Sequence, residues 1–257
     1  MRLFAGGLFA VLAVACRNSD VPDWPVNPGA GGPGGGGIVS SGGDGGTDAT
    51  GTVYRVCLLT GDVRGLNNCA QAGADNITVT IGSGSNAPTA QTGADGTFSI
   101  QVPSATDLDW YVTDTGNTPI IPTIMPLSGG SIIPVLSHDN YQTMSVENGG
   151  TELPDGSTAG VFVRIDSGGN PVQGATVVQG SLTPTPMYGT FYDNNASSAM
   201  WHTDPVMGTG AAGTIWFSGL TGSAITCMVK AQPDSDAVNI VAPIMADWIT
   251  VLFVEAT

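Results

Sequence analysis

The chain has 257 residues and a formal net charge of −15, with 21 acidic and six basic residues. Such a charge repels phosphate backbones and anionic lipid surfaces, so nucleic-acid binding is disfavoured. The roughly two hundred residues beyond position 50 are enough for one large or two small domains with a real core.

The N-terminus has the layout of a secretory signal peptide. Arg2 precedes an apolar run, ending at Ala15, that is too short to span a bilayer. Small residues lead into Cys16, which resembles the lipobox of bacterial lipoproteins. The resemblance implies a signal peptide at 1–15, lipidation of Cys16, and a membrane-attached protein of the cell envelope, as in outer-membrane lipoproteins. Because Ala13 stands where the lipobox usually has a larger aliphatic residue, secretion without a lipid is the alternative.

Residues 16–50 are rich in glycine and proline and include the runs GAGGPGGGG and SSGGDGG. A segment with so few aliphatic residues cannot bury enough apolar surface to fold. We therefore predict a disordered tether, with a typical span of about 30 Å between the anchor and the folded region.

Beyond the tether, short runs of β-branched and aromatic residues alternate with turn-forming clusters, and no stretch shows sustained helical periodicity. This pattern predicts an all-β fold. The turn residues between Glu147 and Ser157 predict a linker at 147–157, between β-sandwich domains at 51–146 and 158–257. The predicted strands are Val53 to Leu59, Asn76 to Ile81, Thr97 to Val102, Trp110 to Thr113, Ala159 to Ile165, Ala175 to Gln179, Thr214 to Ser218, Ile225 to Lys230 and Trp248 to Val254. The last is apolar on both faces, which indicates burial between two layers.

Two segments repeat a turn that leads into an apolar strand, namely Thr92 to Phe98 and Thr209 to Ile215. Ile124-Met125 and Ile244-Met245 follow these turns at comparable distances, so we predict that one domain occurs twice. The strands of the second copy contain enough apolar residues for us to expect that it forms a complete core without the first copy. The predicted members of that core are Val161, Val163, Ile165, Val177, Trp216, Phe217, Val229, Trp248, Val251 and Phe253.

The segment Gly169 to Val177 reads GNPVQGATV and resembles the opening of carboxypeptidase regulatory-like domains. Thr92 to Ile100, with Asp95-Gly96 in what should be a hairpin-type turn, is similar to a later segment of the same family. The resemblance implies two tandem transthyretin-like or Ig-like β-sandwich domains of about seven strands each. Two departures stand out: an insertion from Gly65 to Asp75 where the first copy should have its G-A-x-V element, and Ala212 where Asp is usual.

The residues that could act in catalysis or bind a metal form no recognisable site. We therefore expect a protein that is not an enzyme and holds no metal or cofactor. Only two histidines occur, His138 and His202, and neither lies in a metallopeptidase motif. Glu147, Glu152 and Glu255 form no convincing acid/base pair. We therefore expect a spacer or protein-interaction module attached to the membrane through its lipid, with envelope proteins or polysaccharide as candidate partners.

The alternative function is a ligand-binding module that uses loops of the second domain. A carbohydrate site needs exposed aromatic rings, and a copper site would use thioether and imidazole ligands. The candidate binding residues are Tyr188, Tyr192, Met200, Trp201, His202 and Met207. Three Asx-rich segments, Asp107 to Asp109, Asp193 to Asn195 and Asp234 to Asp236, suggest calcium, although ordinary turns explain such segments equally well.

With Cys16 assigned to the lipid, three cysteines remain. Cys57 and Cys69 are close in sequence and suited to a disulfide in an oxidising compartment, while Cys227 lies in an apolar run and reads as a buried thiol. A bridge between the domains that involves Cys227 is the alternative.

Overall fold

The computed structural model describes residues 53–70, 73–103, 108–114, 119–195 and 200–256, so Cys16, the signal peptide and the tether lie outside the described residues. The first half of the described chain contains strands β1 (Val53–Leu59), β2 (Thr78–Ile81), β3 (Thr89–Gln91), β4 (Thr97–Ser99), β5 (Asp109–Thr113), β6 (Thr123–Pro126) and β7 (Ile132–Leu136), a short 3₁₀ turn (Leu127–Gly129), and helix α1 (His138–Asn148). The second half contains β8 (Ala159–Ser167), β9 (Asn170–Pro171), β10 (Thr176–Val177), β11 (Gly189–Asp193), β12 (Trp201–His202), β13 (Thr214–Leu220), β14 (Ala224–Lys230), β15 (Ala237–Pro243) and β16 (Ile249–Glu255).

The protein is mostly β, as predicted, and each half is a two-layer sandwich. In the first half, the sheet β4-β1-β7 packs on β3-β2-β5-β6. In the second half, β12-β11-β13-β8-β16 packs on β10-β14-β15. Both layers of each sandwich contribute the alternating apolar residues expected of half-buried strands.

The two halves repeat one topology. In the first, β1 pairs antiparallel with β4 and parallel with β7, while β5 lies between β2 and β6. In the second, β8 pairs antiparallel with β13 and parallel with β16, while β14 lies between β10 and β15. The predicted repeat is therefore present. The predicted match between Ile124-Met125 and Ile244-Met245 is wrong. Ile124-Met125 lies in β6, whereas Ile244-Met245 lies in the turn after β15.

Equivalent hydrogen bonds identify the repeated positions. Thr92 Oγ1 accepts from the backbone N–H of Ile77 at 2.9 Å. Thr209 Oγ1 accepts from that of Ala175, also at 2.9 Å. Asn76 to Val79 therefore occupies, in the first repeat, the place of Gly174 to Val177 in the second.

This equivalence corrects the expectation that an insertion replaces the G-A-x-V element of the first repeat. The element is present as Asn76-Ile77-Thr78-Val79, with Asn76 at φ 55° where the second repeat has Gly174 at φ 86°. Asparagine tolerates this left-handed conformation better than other residues with a side chain. The inserted residues lie before this element.

The turn at Asp95-Gly96 also differs from the prediction. It connects β3 and β4, which belong to different sheets, so it crosses the sandwich and does not close a hairpin. Gly96 has φ 79°, and a Cβ at this residue would lie 2.4 Å from the Val56 carbonyl oxygen. Only glycine fits this approach between backbones.

Helix α1 lies in a segment where the sequence shows no helical periodicity, and it ends inside the predicted linker. Its faces are not divided into apolar and polar, so hydrophobic periodicity does not reveal it. Its ends are well defined instead. Ser137 accepts from the N–H of Asn140 at the N-terminus, and Gly149 takes the left-handed conformation at the C-terminus.

The two halves share a sheet and a core. β16 pairs in parallel with β6. In this pairing Ile249 lies opposite Thr123, and Thr250 lies opposite Ile124. This joins strands of both halves into one ten-stranded sheet. The shared core contains buried apolar residues of both halves: Cys57, Leu59, Val63, Leu66, Ile121, Leu136, Tyr141, Met144, Leu153, Phe162, Phe191, Trp201, Trp216, Ile249 and Val251.

The shared core corrects the expectation of a closed core in the second half. Val161, Val163 and Ile165 do face the sandwich interior, but Trp216 and Val251 point into the shared core instead. Further members of the predicted set also contact the first half: the Trp248 ring lies 6.0 Å from that of Tyr111, and Phe253 packs on the shared core and on the first sandwich. The burial of β16 on both faces, at Val251 and Leu252, agrees with the sequence prediction.

Candidate functional site

A loop closed by a disulfide follows β1 and marks the most distinctive difference between the repeats. Cys57 and Cys69 are bonded, as predicted, with their Cα atoms 5.0 Å apart. Leu59 forms a β-bridge with Cys69. We call residues 60–69 the disulfide loop.

The disulfide loop is docked on the second half by its backbone and by two apolar side chains. The Arg64 carbonyl accepts a 2.6 Å hydrogen bond from Thr214 Oγ1. The Gly65 carbonyl accepts one of 2.6 Å from Arg164 Nη1. Val63 and Leu66 are buried in the shared core. The loop therefore has a fixed position against β8 and β13.

The opposing wall is the turn before β13, which is held by a buried carboxylate. Asp193 Oδ1 accepts from the backbone N–H groups of Gly210 at 3.0 Å and Thr214 at 2.8 Å. Its Oδ2 accepts from that of Ala212 at 2.8 Å. Burial raises the pKa of Asp193, against the opposing effect of these N–H groups and of nearby Arg64.

A polar groove of about 560 Å³ lies between these two walls. The disulfide loop contributes Asp62, Arg64, Gly65, Asn67 and Asn68, and the second half contributes Asp193, Asn194, Asn195, Ala211 and Ala212. Its lining thus draws on segments about 130 residues apart, which the docking of the loop brings together.

Asp62 and Arg64, which both line the groove, are paired with each other. Asp62 Oδ1 accepts from Arg64 Nε at 2.8 Å, and Asp62 Oδ2 accepts from Arg64 Nη2 at 2.6 Å. The hydrogen bond from Arg64 is the main reason that the pKa of Asp62 is lowered. The remaining Nη1 of Arg64 donates to the Asn194 carbonyl. Three of the five guanidinium N–H groups are thus used within the protein.

Three amide side chains at the groove retain hydrogen-bonding capacity. Within the part of the chain that the structure describes, the Asn67 amide has no hydrogen-bond partner. Asn68 Nδ2 donates to the Thr60 carbonyl at 2.5 Å, which leaves its oxygen as an acceptor. Asn195 Oδ1 accepts from the Ala211 N–H at 2.6 Å, which leaves its NH₂ group as a donor.

The structure does not bring all of the residues predicted for a ligand site in the second half to one surface, although Tyr192 and His202 are in contact. Trp201 is buried in the shared core, with Met200 packed against that core. Tyr192 is buried on the opposite side of the sheet, inside the second sandwich. His202 stacks on Tyr192 with ring centroids 5.8 Å apart, and its Nδ1 accepts from the N–H of Asp204.

Tyr188 and Met207 are the two exposed members of the predicted set, at 45% and 60% exposure. Tyr188 precedes β11 and lies against Gly219, at the end of β13. His202 pairs with Tyr192 at the other end of β11. The exposed aromatic ring is therefore separated from the Met200–Met207 segment by the length of a strand.

Among the segments considered for calcium, the carboxylate of Asp193 has another role. Asp193 uses both carboxylate oxygens to bind backbone N–H groups, and Asp107 lies outside the described residues. No group of three or more His, Cys, Asp or Glu side chains suited to a metal ion occurs in the described ranges. Over the same ranges, no helix has the length and apolar character to cross a membrane.

Sequence comparison gives no family for this chain, since no family model matches it and no curated protein matches it significantly. Among solved structures, it is similar to the minor pilin GBS52 of Streptococcus agalactiae, at 10% identity and a TM-score of 0.24, covering 79% of this chain and 94% of the pilin. It is also similar to a family 26 carbohydrate-binding module from Eubacterium rectale Amy13K, solved with maltoheptaose, at 13% identity and a TM-score of 0.24, covering 72% and 90%. A third is the shaft pilin SpaA of Lactobacillus rhamnosus GG, at 12% identity and a TM-score of 0.22, covering 79% and 99%. TM-scores this low do not establish a relationship.

Proposed function

We propose that this chain is an exported, lipid-anchored protein without enzymatic activity, which displays two interlocked β-sandwiches at the cell envelope as a spacer or protein-interaction module. The shared core is the observation that carries this proposal. A body whose halves share a sheet and buried aromatic residues resists bending between them, which suits a spacer.

The disulfide supports export. Disulfides persist in oxidising compartments outside the cytoplasm, and the bond between Cys57 and Cys69 closes the loop that docks the two halves. The signal peptide and the lipid on Cys16 remain part of the proposal on the strength of the N-terminal sequence.

The ionisable groups of the folded body support a structural role. Asp95 binds the N–H and hydroxyl of Thr97 in the first repeat, and Asp193 holds the corresponding turn in the second. The buried Arg164 pairs with Asp166 at 2.9 Å. These charged side chains stabilise turns and strands, which is the use of charge expected in a scaffold.

We also propose that each repeat is a carboxypeptidase regulatory-like domain. The support is positional: the left-handed residues Asn76 and Gly174 occupy equivalent places, each before a strand that reads x-T-V. Gly96 and Gly213, at φ 79° and 67°, also end equivalent turns.

The anchoring part of the proposal is tested by fractionation of the full chain expressed in a Gram-negative host. With radiolabelled palmitate, we expect label on the wild-type protein and its recovery in salt-washed membranes. Cys16→Ser should lose both, while Cys227→Ser, a cysteine control within the fold, should keep both. Unlabelled wild-type protein, or a Cys16→Ser variant that stays in washed membranes, would refute lipid anchoring.

A further inference from the structure

We propose that the groove between the disulfide loop and the turn before β13 binds a neutral, hydroxyl-rich ligand, namely an oligosaccharide. The groove combines residues of both repeats, and it is distinct from the loops around Met200–Met207 considered above. Its binding activity does not depend on the lipid anchor.

The amide side chains around the groove match the chemistry of sugar hydroxyls. A primary amide offers two donors and an acceptor, and each hydroxyl of a sugar is both donor and acceptor. Asn67 offers a complete amide, Asn68 an oxygen and Asn195 an NH₂ group. Adjacent hydroxyls on a pyranose ring can therefore be paired from both walls.

The charges disfavour ionic ligands. Asp62 and Arg64 neutralise each other, and the guanidinium nitrogens already donate to Asp62 and to the Asn194 carbonyl. An anion would compete with Asp62 and the Asn194 carbonyl for Arg64, and it would meet a chain of net charge −15. A cation would have to displace Arg64 from Asp62, or backbone N–H groups from Asp193.

The size and rigidity of the groove suit a short oligosaccharide. Its volume of about 560 Å³ lies within the range typical of small-molecule sites, roughly 300 to 1,000 Å³. The disulfide fixes one wall and Asp193 fixes the other, so little ordering is needed on binding. Because the lining residues described here include no aromatic ring for stacking, we expect weak affinity, with a Kd on the order of 1 mM.

The test is calorimetric titration of the purified full chain in detergent, with maltohexaose, cellohexaose, xylohexaose and chitohexaose as probes. An uncharged hexapeptide of serine, asparagine and glycine represents the competing ligand class. We expect saturable binding of at least one glycan and none of the peptide. Asn67→Ala and Asn67→Asp should each weaken that binding about tenfold or more, and Asn239→Ala, an exposed asparagine on β15, should not.

Melting temperatures within a few degrees of the wild type will show that the Asn67 variants are folded. The proposal is overturned if none of the four glycans binds below about 10 mM, if the peptide is preferred, or if either Asn67 variant binds as well as the wild type. These results are independent of the fractionation test, because they concern only the purified protein.

Discussion

Asp193 Oδ1 accepts a 2.8 Å hydrogen bond from the backbone N–H of Thr214. In the first repeat, Asp95 makes the equivalent bond to Thr97 at 3.0 Å, from within the turn itself. The second repeat has Ala212 in that turn, and β11 supplies the missing carboxylate from outside it. The departure noted at Ala212 is thus compensated by a residue distant in sequence.

Removal of the Asp193 carboxylate should destabilise the protein more than removal of the Asp95 carboxylate, its counterpart in the first repeat. Asp193→Ala leaves the backbone N–H groups of Ala212 and Thr214 unpaired, while that of Gly210 keeps its bond to the residue-193 carbonyl, and we expect a loss of about 3 kcal/mol in the free energy of unfolding. Asp95 is exposed, so Asp95→Ala should cost about 1 kcal/mol. Urea denaturation of both variants measures the difference, and equal losses would contradict this account.

The free energy of unfolding should depend on pH through the Asp155 carboxylate. Burial alone would raise the pKa of Asp155, but hydrogen bonds from Thr158, Ser157 and Thr151 outweigh burial and lower the pKa to about 2, from an ordinary 3.8. A lowered pKa stabilises the fold above pH 4, and this contribution is lost as pH falls from about 4 to 2. Solvent screening reduces it to about 1 kcal/mol. Denaturation of wild type and Asp155→Asn at pH 6 and pH 3 should show a smaller difference at pH 3, and a difference that grows with acidity would be inconsistent with this.

Cys227 should be unreactive in the folded protein. It is the free cysteine of the described chain and is buried in the second sandwich. Burial raises the pKa of its thiol to about 12, so very little thiolate is present at pH 8. We expect negligible labelling by a thiol reagent until denaturant is added. Rapid labelling of the native protein would place β14 at an accessible edge, contrary to the structure.

The second half should not fold well alone. In a fragment of residues 158–256, the aromatic face formed by Phe162, Phe191, Trp201 and Trp216 would lose its cover. Such a patch exceeds what soluble monomers usually expose, so we expect aggregation and binding of a hydrophobic dye. Co-expression with residues 53–157 should restore a soluble complex. A monomeric fragment that melts cooperatively without binding dye would contradict the shared core.

The sequence revealed strands whose composition shows period-two alternation or β-branched runs. β1 has the predicted bounds, and β8, β13, β14 and β16 were found within a few residues of their ends. β11 (GTFYD) and β15 (AVNIVAP) were missed, although both contain β-branched or aromatic residues and β15 alternates apolar positions at Val238, Ile240 and Ala242. Helix α1 was missed because it depends on its caps at Ser137 and Gly149 and not on an apolar stripe.

The groove could not be predicted, because it depends on how the halves dock. Asn67-Asn68 and Asn194-Asn195 are visible in the sequence as polar pairs, but only the contact of the disulfide loop with β8 and β13 brings them to one surface. Conversely, Trp201 was a candidate binding residue because it lies in a stretch that reads as a loop, and the sequence does not show whether its ring is exposed. It is buried because the first half covers it.

The interlocking of the two halves is tested most directly by differential scanning calorimetry of the oxidised full chain. We predict one transition, with equal calorimetric and van't Hoff enthalpies, because neither half has a complete core without the other. Leu66→Asp places a charge in the shared core and should separate or broaden the transition, while Asn67→Asp, at an exposed position of the same loop, should leave it single. Two well-resolved transitions in the wild type would show that the sandwiches unfold independently, and would contradict the account.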